Sequence, residues 1–217
     1  MKTESVIVFD FETTGGSISG GDRPIEIGAV RIEKECIVER FQNIMNPGFP
    51  ITSFIESLTG ISSQAVEEAP DCEVVMEKFA RFIGDHPLVA HNASFDIKFL
   101  DNEMSYLQQY RQNEFACSML VARRIYPDAL NHKLRSLVEH CGIQTDDVYH
   151  RALADAEKTG LLWIAMVNYL KQMYGLQDVP FHLMQKVSKV SRRKLDSLMD
   201  TYKQQEKHTA LSLFPNN

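Results

Sequence analysis

Two carboxylates one residue apart, Asp10 and Glu12, end an apolar run that begins Val6-Ile7-Val8-Phe9. The run is rich in β-branched residues and is stopped by Gly15-Gly16, which predicts a buried strand. Side chains alternate faces along a strand, so Asp10 and Glu12 should point one way and Phe11 the other. Two acids crowded at the mouth of a buried strand repel each other and lose hydration. A divalent cation would offset both costs. The plainer alternative is a strand end whose acids face water, and the pair alone does not decide between them.

Three further residues carry related chemistry. Asp96 follows a short apolar run, Leu88-Val89-Ala90, and falls in the first turns of a helix predicted from Asn92, as N-cap, to about Tyr110. If that short strand lies beside the first, Asp96 comes near Asp10, although an acid there also suits the helix dipole by itself. Asp155 falls in the first turn of a long helix predicted over 152–174, and His150 precedes it. Five helical residues turn through roughly 500°, so His150 and Asp155 cannot share a helix face. With His150 in the preceding loop, both can reach one site. A surface histidine in a polar loop is the alternative.

Taken together, four carboxylates and one histidine suit a two-metal hydrolase. Hard oxygen ligands select Mg²⁺ or Mn²⁺ over zinc. Two such ions, roughly 3.5–4 Å apart, can clamp an in-line displacement at phosphorus. A histidine that titrates near neutrality can take the proton of the attacking water.

The elements that must position these residues can be read around them. After the first strand comes a Gly- and Ser-rich loop over 15–24, then strands over 25–32 and 37–45 joined by a tight turn at Lys34-Glu35. These three strands should form an antiparallel meander. Short helical turns are expected over 53–68, a helix over 73–83, a strand near 115–117, and helices over 119–125 and 134–141. The long helix should carry Leu161, Leu162, Ala165, Met166 and Tyr169 along one side. Three strands and then alternating helices and strands predict an α/β sheet with helices on its faces. Beyond Gly175 the chain carries cations at Lys186, Lys189, Arg192, Arg193 and Lys194. They suit either nucleic-acid backbone or a solvated helix face. Leu195, Leu198, Met199 and Tyr202 then recur at helical spacing.

The stretches Asp10-Phe11-Glu12-Thr13-Thr14-Gly15, His91-Asn92-Ala93-Ser94-Phe95-Asp96 and His150-Arg151-Ala152-Leu153-Ala154-Asp155-Ala156 resemble, in order and spacing, the three motifs of the DEDDh 3′–5′ exonucleases. Within that family the chain looks most like the proofreading (epsilon) subunits of bacterial DNA polymerase III and their stand-alone relatives. The resemblance spans residues 5 to about 172. It implies a ribonuclease-H-like fold, with a mixed five-stranded sheet whose second strand runs antiparallel. It also implies two Mg²⁺ or Mn²⁺ ions: Asp10, Glu12 and Asp155 around one, Asp10 and Asp96 around the other, with His150 as general base. The Thr13 side chain and the backbone near Thr14 would hold the terminal nucleotide. Leu58-Thr59-Gly60-Ile61 resembles the stretch that wedges against the last bases. Leu58 or Ile61 would supply the apolar contact, with local packing as their other role.

The resemblance therefore points to removal of nucleoside 5′-monophosphates from single-stranded DNA 3′ ends. Trimming of RNA is the alternative, and a non-catalytic binding module on the replication machinery is the rival from another class. The division expected is an exonuclease domain over 1–174 and a basic, helical extension over 175–217. Near the end, Ala210-Leu211-Ser212-Leu213-Phe214 is similar to the pentapeptide that docks replication proteins into the sliding clamp, with Leu211, Leu213 and Phe214 as apolar contacts. That peptide usually begins with glutamine rather than Ala210. A DNA polymerase is the other partner implied.

The bulk composition is compatible with this reading. The 217 residues carry a formal charge of −6, with 44% hydrophobic and 24% charged residues, as in ordinary globular proteins. Acids gathered at a metal site contribute to such a negative total. Cys36, Cys72, Cys117 and Cys141 are dispersed, with no CxxC pair, which argues against a disulfide framework or a zinc site. The first residues lack a signal-peptide pattern and no window suits a membrane span, so a cytoplasmic protein is expected.

Overall fold

The computed structural model of the chain describes residues 5–146 and 149–213, with side chains described through Glu206. Strand β1 (Val6–Thr13) occupies the centre of a five-stranded sheet. It pairs antiparallel with β2 (Pro24–Glu33), which pairs antiparallel with β3 (Cys36–Ile44). Lys34 and Glu35, between β2 and β3, both take positive φ, 49° and 61°. That is the backbone of a two-residue hairpin turn whose twist matches the flanking strands. The expected meander is present.

Helices α1 (Ser53–Thr59), α2 (Ser63–Glu67) and α3 (Cys72–Ile83) follow. Strand β4 (Leu88–Ala90) then returns parallel to β1, and β5 (Phe115–Cys117) lies parallel to β4. The strand order is β3-β2-β1-β4-β5. Between β4 and β5 runs α4 (Ser94–Tyr106), and after β5 come α5 (Ser118–Ile125), α6 (Leu134–His140), α7 (Ala152–Tyr174), α8 (Phe181–Lys189) and α9 (Leu195–Leu213). No helix among the described residues is long and apolar enough to cross a membrane.

The two faces of β1 have different fates. Ile7, Phe9 and Phe11 pack with Phe79 of α3 and with Phe99 and Leu100 of α4. Val6 and Val8 face the other way, into a core with Leu162 and Met166 of α7. By strand alternation, Asp10 and Glu12 continue the Val6–Val8 row on the α7 side. Residues of α8 and α9, among them Leu183, Met184, Leu195 and Met199, are buried in this same core. The extension thus packs on the sheet's α7 side, and α7 ends at Gly175, whose φ of 62° suits a glycine helix cap.

Two local expectations need correction. Asn92 does not cap α4: it takes a left-handed φ of 64°, and the helix starts at Ser94 with Ala93 at the cap and ends at Tyr106 rather than Tyr110. The left-handed residue turns the chain sharply between β4 and the helix, a role open to Asn as it is to few other residues. The buried stripe of α7 is Thr159, Gly160, Leu162, Trp163, Met166, Val167 and Leu170, whereas Leu161, Ala165 and Tyr169 are only half-buried. Gly160 lies in this stripe, and a Cβ there would come within 3.1 Å of the Val30 side chain of β2. The helix lies against the sheet on its glycine side.

Candidate active site

Strand β1 delivers Asp10 and Glu12 to the α7 side, and the first turn of α7 delivers Asp155. One ligand oxygen from each of the three lies within 4.8 Å of the others. Asp96 arrives from α4 on the opposite layer and is fully enclosed; its Oδ1 accepts the Phe11 backbone N–H at 3.2 Å. That bond fastens α4 to the strand between the two acids. Parallel pairing of β4 with β1 is what brings Asp96 here.

The electrostatics are those of a site short of positive charge. Burial, then the charges of Asp96, Glu12, Asp155 and Glu26, holds the Asp10 carboxyl well above the usual range. Burial, followed by Asp155, Glu26 and Asp96, raises Glu12 to about 8, while Arg151 pulls it down. Burial raises Asp96 to about 7 against the opposing bonds from backbone N–H groups. Burial also raises Asp155, although the His150 N–H and Lys158 act the other way. Asp155 Oδ2 accepts the His150 backbone N–H at 2.9 Å, whereas its Oδ1 is buried without a hydrogen-bond partner. An orphaned buried carboxylate oxygen beside two further acids, in an all-oxygen donor set, fits a hard divalent cation.

His150 itself is exposed, at a left-handed φ of 60°, in the loop before α7. Its backbone N–H is tied to Asp155. The approach to it is braced by Lys158, buried at 2% exposure, which donates to Asp146 at 2.8 Å and lies 4.7 Å from the centre of the Tyr149 ring. Asp147 and Val148 of the same polar loop lie outside the described residues.

The residues expected at the nucleotide are divided. Thr13 is buried and donates to the Gly15 carbonyl at 2.6 Å. Thr14 donates its hydroxyl to Asp22 and accepts the Arg23 N–H, which closes the Gly-rich loop. Leu58 is 41% exposed, but Ile61 is 2% exposed and packs with Ile25, Ile51, Ile55 and Val66. Of the two apolar candidates, Ile61 therefore serves local packing. Phe54, one turn before Leu58, is exposed as well. Ala210–Leu213 of the clamp-like peptide lie in the last turn of α9, and Phe214 lies outside the described residues.

Three residues went unmarked in the sequence: Glu26, Gly28 and Arg151. Glu26 is wholly buried and binds Arg151, Gln42 and the Ala152 N–H. Its signal was available: one carboxylate inside the apolar stretch Ile25-Glu26-Ile27 has to be partnered if the strand is central.

Comparison with known proteins agrees with this geometry. The RNase_T family model, described as "Exonuclease", matches residues 7–162. The chain is 39% identical over 173 residues to a DNA polymerase III PolC-type protein of Caldanaerobacter subterraneus subsp. tengcongensis; the match covers 80% of this chain but only 12% of that relative's length. It is 34% identical to the DNA polymerase III subunit epsilon of Aquifex aeolicus, covering 79% of this chain and 85% of that one. Among solved structures, exonuclease X in complex with 5′ overhanging duplex DNA superposes with a TM-score of 0.65 at 25% identity, covering 84% of this chain and 99% of that one. The sheet order, the three motifs on β1, α4 and α7, and the family match lead to one conclusion: the chain belongs to the exonuclease family, with the ribonuclease-H-like fold of its DEDDh members.

Proposed function

We propose that the chain is a metal-dependent 3′–5′ exonuclease that releases nucleoside 5′-monophosphates from single-stranded DNA ends. The observation that carries the proposal is the cluster of Asp10, Glu12 and Asp155, with one ligand oxygen from each within 4.8 Å of the others, together with the buried and unpartnered Oδ1 of Asp155. Asp10, Glu12 and Asp155 would hold one Mg²⁺ or Mn²⁺, and Asp10 with Asp96 a second. Bound there, the ions would supply Lewis acidity at phosphorus and at the attacking water. His150, at the rim, would take the water's proton as general base. The exposed Leu58 would stack on a terminal base, a contact tolerant of base identity. The Thr13 side chain and the backbone near Thr14 would hold the terminal nucleotide.

The division of the chain into an exonuclease domain over 1–174 and an extension over 175–217 belongs to the same proposal. So do a cytoplasmic setting, a DNA polymerase partner, and docking of a sliding clamp by Leu211, Leu213 and Phe214. Deletion of 210–217 should then abolish clamp association and spare activity on free oligonucleotides.

The test is incubation of the purified chain with 5′- and 3′-labelled DNA and RNA oligonucleotides, in Mg²⁺, Mn²⁺ or chelator. A metal-dependent ladder shortening from the 3′ end of DNA is expected. Trimming of RNA alone would shift the assignment to an exoribonuclease, because tolerance of a 2′-OH depends on pocket shape. No degradation of either polymer with metal would overturn the enzyme reading.

A further inference from the structure

We infer that Glu26 and Gly28 of β2 form the seat that fixes Asp155 against Asp10 and Glu12; the inference rests on the reading of those acids as a cation site. The β1–β2 ladder sets Asp10 opposite Gly28 and Glu12 opposite Glu26. Residues opposite one another in an antiparallel pair share a face. The two positions beside the acid pair are thus a glycine and a buried carboxylate, both under the start of α7.

Each meets the helix directly. A Cβ on Gly28 would fall 2.0 Å from the Leu153 backbone N and 2.2 Å from the Ala152 carbonyl carbon. Only a residue with no side chain lets the first turn of α7 come this close to the sheet, so Gly28 sets the height of the helix. Glu26 sets its lateral position. Its Oε2 accepts the N–H of Ala152, the first residue of α7, at 3.0 Å and the Arg151 Nε at 3.2 Å; its Oε1 accepts the Arg151 Nη2 at 2.9 Å and the Gln42 amide at 2.8 Å. No side chain of the residue preceding α7 caps the helix. The cap comes from the sheet instead, as a carboxylate placed where the helix dipole favours negative charge. Asp155 lies one turn further along and inherits this placement.

Glu26 differs from the cluster acids in one decisive respect. Both of its oxygens are occupied and its charge is matched by Arg151, whereas Asp155 Oδ1 has no partner. It is a positioning residue, one that acts on the metal through α7.

The test is Mn²⁺ titration of the full chain at pH 8, followed by loss of the free-ion electron paramagnetic resonance signal, with thermal midpoints measured on the same samples. Glu26→Ala should weaken Mn²⁺ binding by about tenfold or more, in the range typical of groups that orient metal ligands. Glu26→Gln keeps an acceptor for the Ala152 N–H and should weaken binding less than Glu26→Ala does. If Glu26→Ala does not fold, Glu26→Asp keeps the charge but falls short of Ala152, and should weaken binding in its place. Wild-type affinity in the Ala or Asp variant, even with a lowered midpoint, would overturn the seat. So would a Gln variant as weak as the Ala variant, which would make Glu26 a ligand. A wild-type chain that takes up no Mn²⁺ would instead overturn the cation reading on which the seat rests.

Discussion

Two clusters of buried charge stand a short distance apart along the chain, and they are resolved in opposite ways. At the start of β2, Arg23 forks onto the buried Glu103 at 2.6 and 3.2 Å, bonds Glu73 at 2.9 Å and the Pro47 carbonyl at 3.2 Å, and lies 5.1 Å from the centre of the Tyr106 ring. Every charge there has an opposite within reach, and the guanidinium is held above even its ordinary pKa, chiefly by its bond to Glu103 against the cost of burial. At the end of β1, Asp10, Glu12, Asp96 and Asp155 crowd together, and their carboxyls are pushed up rather than paired. The first cluster is complete and ties the Gly-rich loop to α3 and α4. The second holds acids without such a match: protons meet the deficit at low pH, and the proposed cation would meet it above. That difference separates the site end of the sheet from its structural counterpart.

The contrast can be broken by substitution. Asp10→Asn should take metal-dependent hydrolysis of a labelled oligonucleotide below detection, because it removes the ligand shared by both proposed ions. In metal-free buffer the same variant should melt no lower than wild type, since it relieves repulsion. A variant that melts far below wild type would mean that the site acids are paired as Arg23 is. His150→Ala should lower the turnover rate by roughly a hundred- to ten-thousand-fold, the usual worth of a positioned base. Its Mn²⁺ affinity should stay near wild type, and an unchanged rate would remove His150 from the mechanism. Glu103→Ala is the counterpart in the complete cluster. It leaves Arg23 buried without its main partner and should cost about 3–5 kcal/mol in denaturant unfolding, with the Mn²⁺ affinity of the folded protein unchanged.

A gentler test uses pH. Glu12 and Asp96 titrate at about 8 and 7 in the folded chain, against ordinary values of 4.5 and 3.8. Between those ordinary values and the raised ones the folded state binds more protons than the unfolded state. Metal-free stability is therefore full below the ordinary carboxylate range and falls as pH rises through 7 to 8. Mn²⁺ competes with the same protons, so its affinity should rise across that window. The thermal shift it produces should be larger at pH 8 than at pH 6, and a flat or reversed trend would contradict the raised carboxyls. The smallest effect expected is that of Leu58→Ala, a several-fold rise in KM for short oligonucleotides with little change in turnover. That corresponds to about 1 kcal/mol of base stacking.

Much of this contrast was legible before the fold was known. Alternation along β1 set Asp10 and Glu12 on one side and Phe11 on the other, and the structure continues the Val6–Val8 row into the acids. The hairpin at Lys34-Glu35, the short strand at 88–90 and the long helix from 152 also follow from periodicity and turn chemistry. What escaped was tertiary. Glu26 demands a partner only once its strand is known to be central, and that partner, Arg151, is 125 positions away. Nothing around Gly28 in the sequence points to the helix pressed against it, which is equally remote. Ile61 carried two roles that sequence alone could not separate; only its burial against Ile25 and Ile51 shows that it packs. Asn92 was read as a cap because its side chain favours caps, when its tolerance of left-handed backbone was the property in use.

The cation is proposed to sit at the unpaired acids and not at the paired ones. Crystals soaked in Mn²⁺ at pH 8 and measured at an energy with strong manganese anomalous signal test it most directly. The expected map has a peak within bonding distance of the Asp10, Glu12 and Asp155 carboxylates and none at Glu103, Glu73 or Glu26. A map with no peak at the three acids, or with its peak at Glu26, would contradict it.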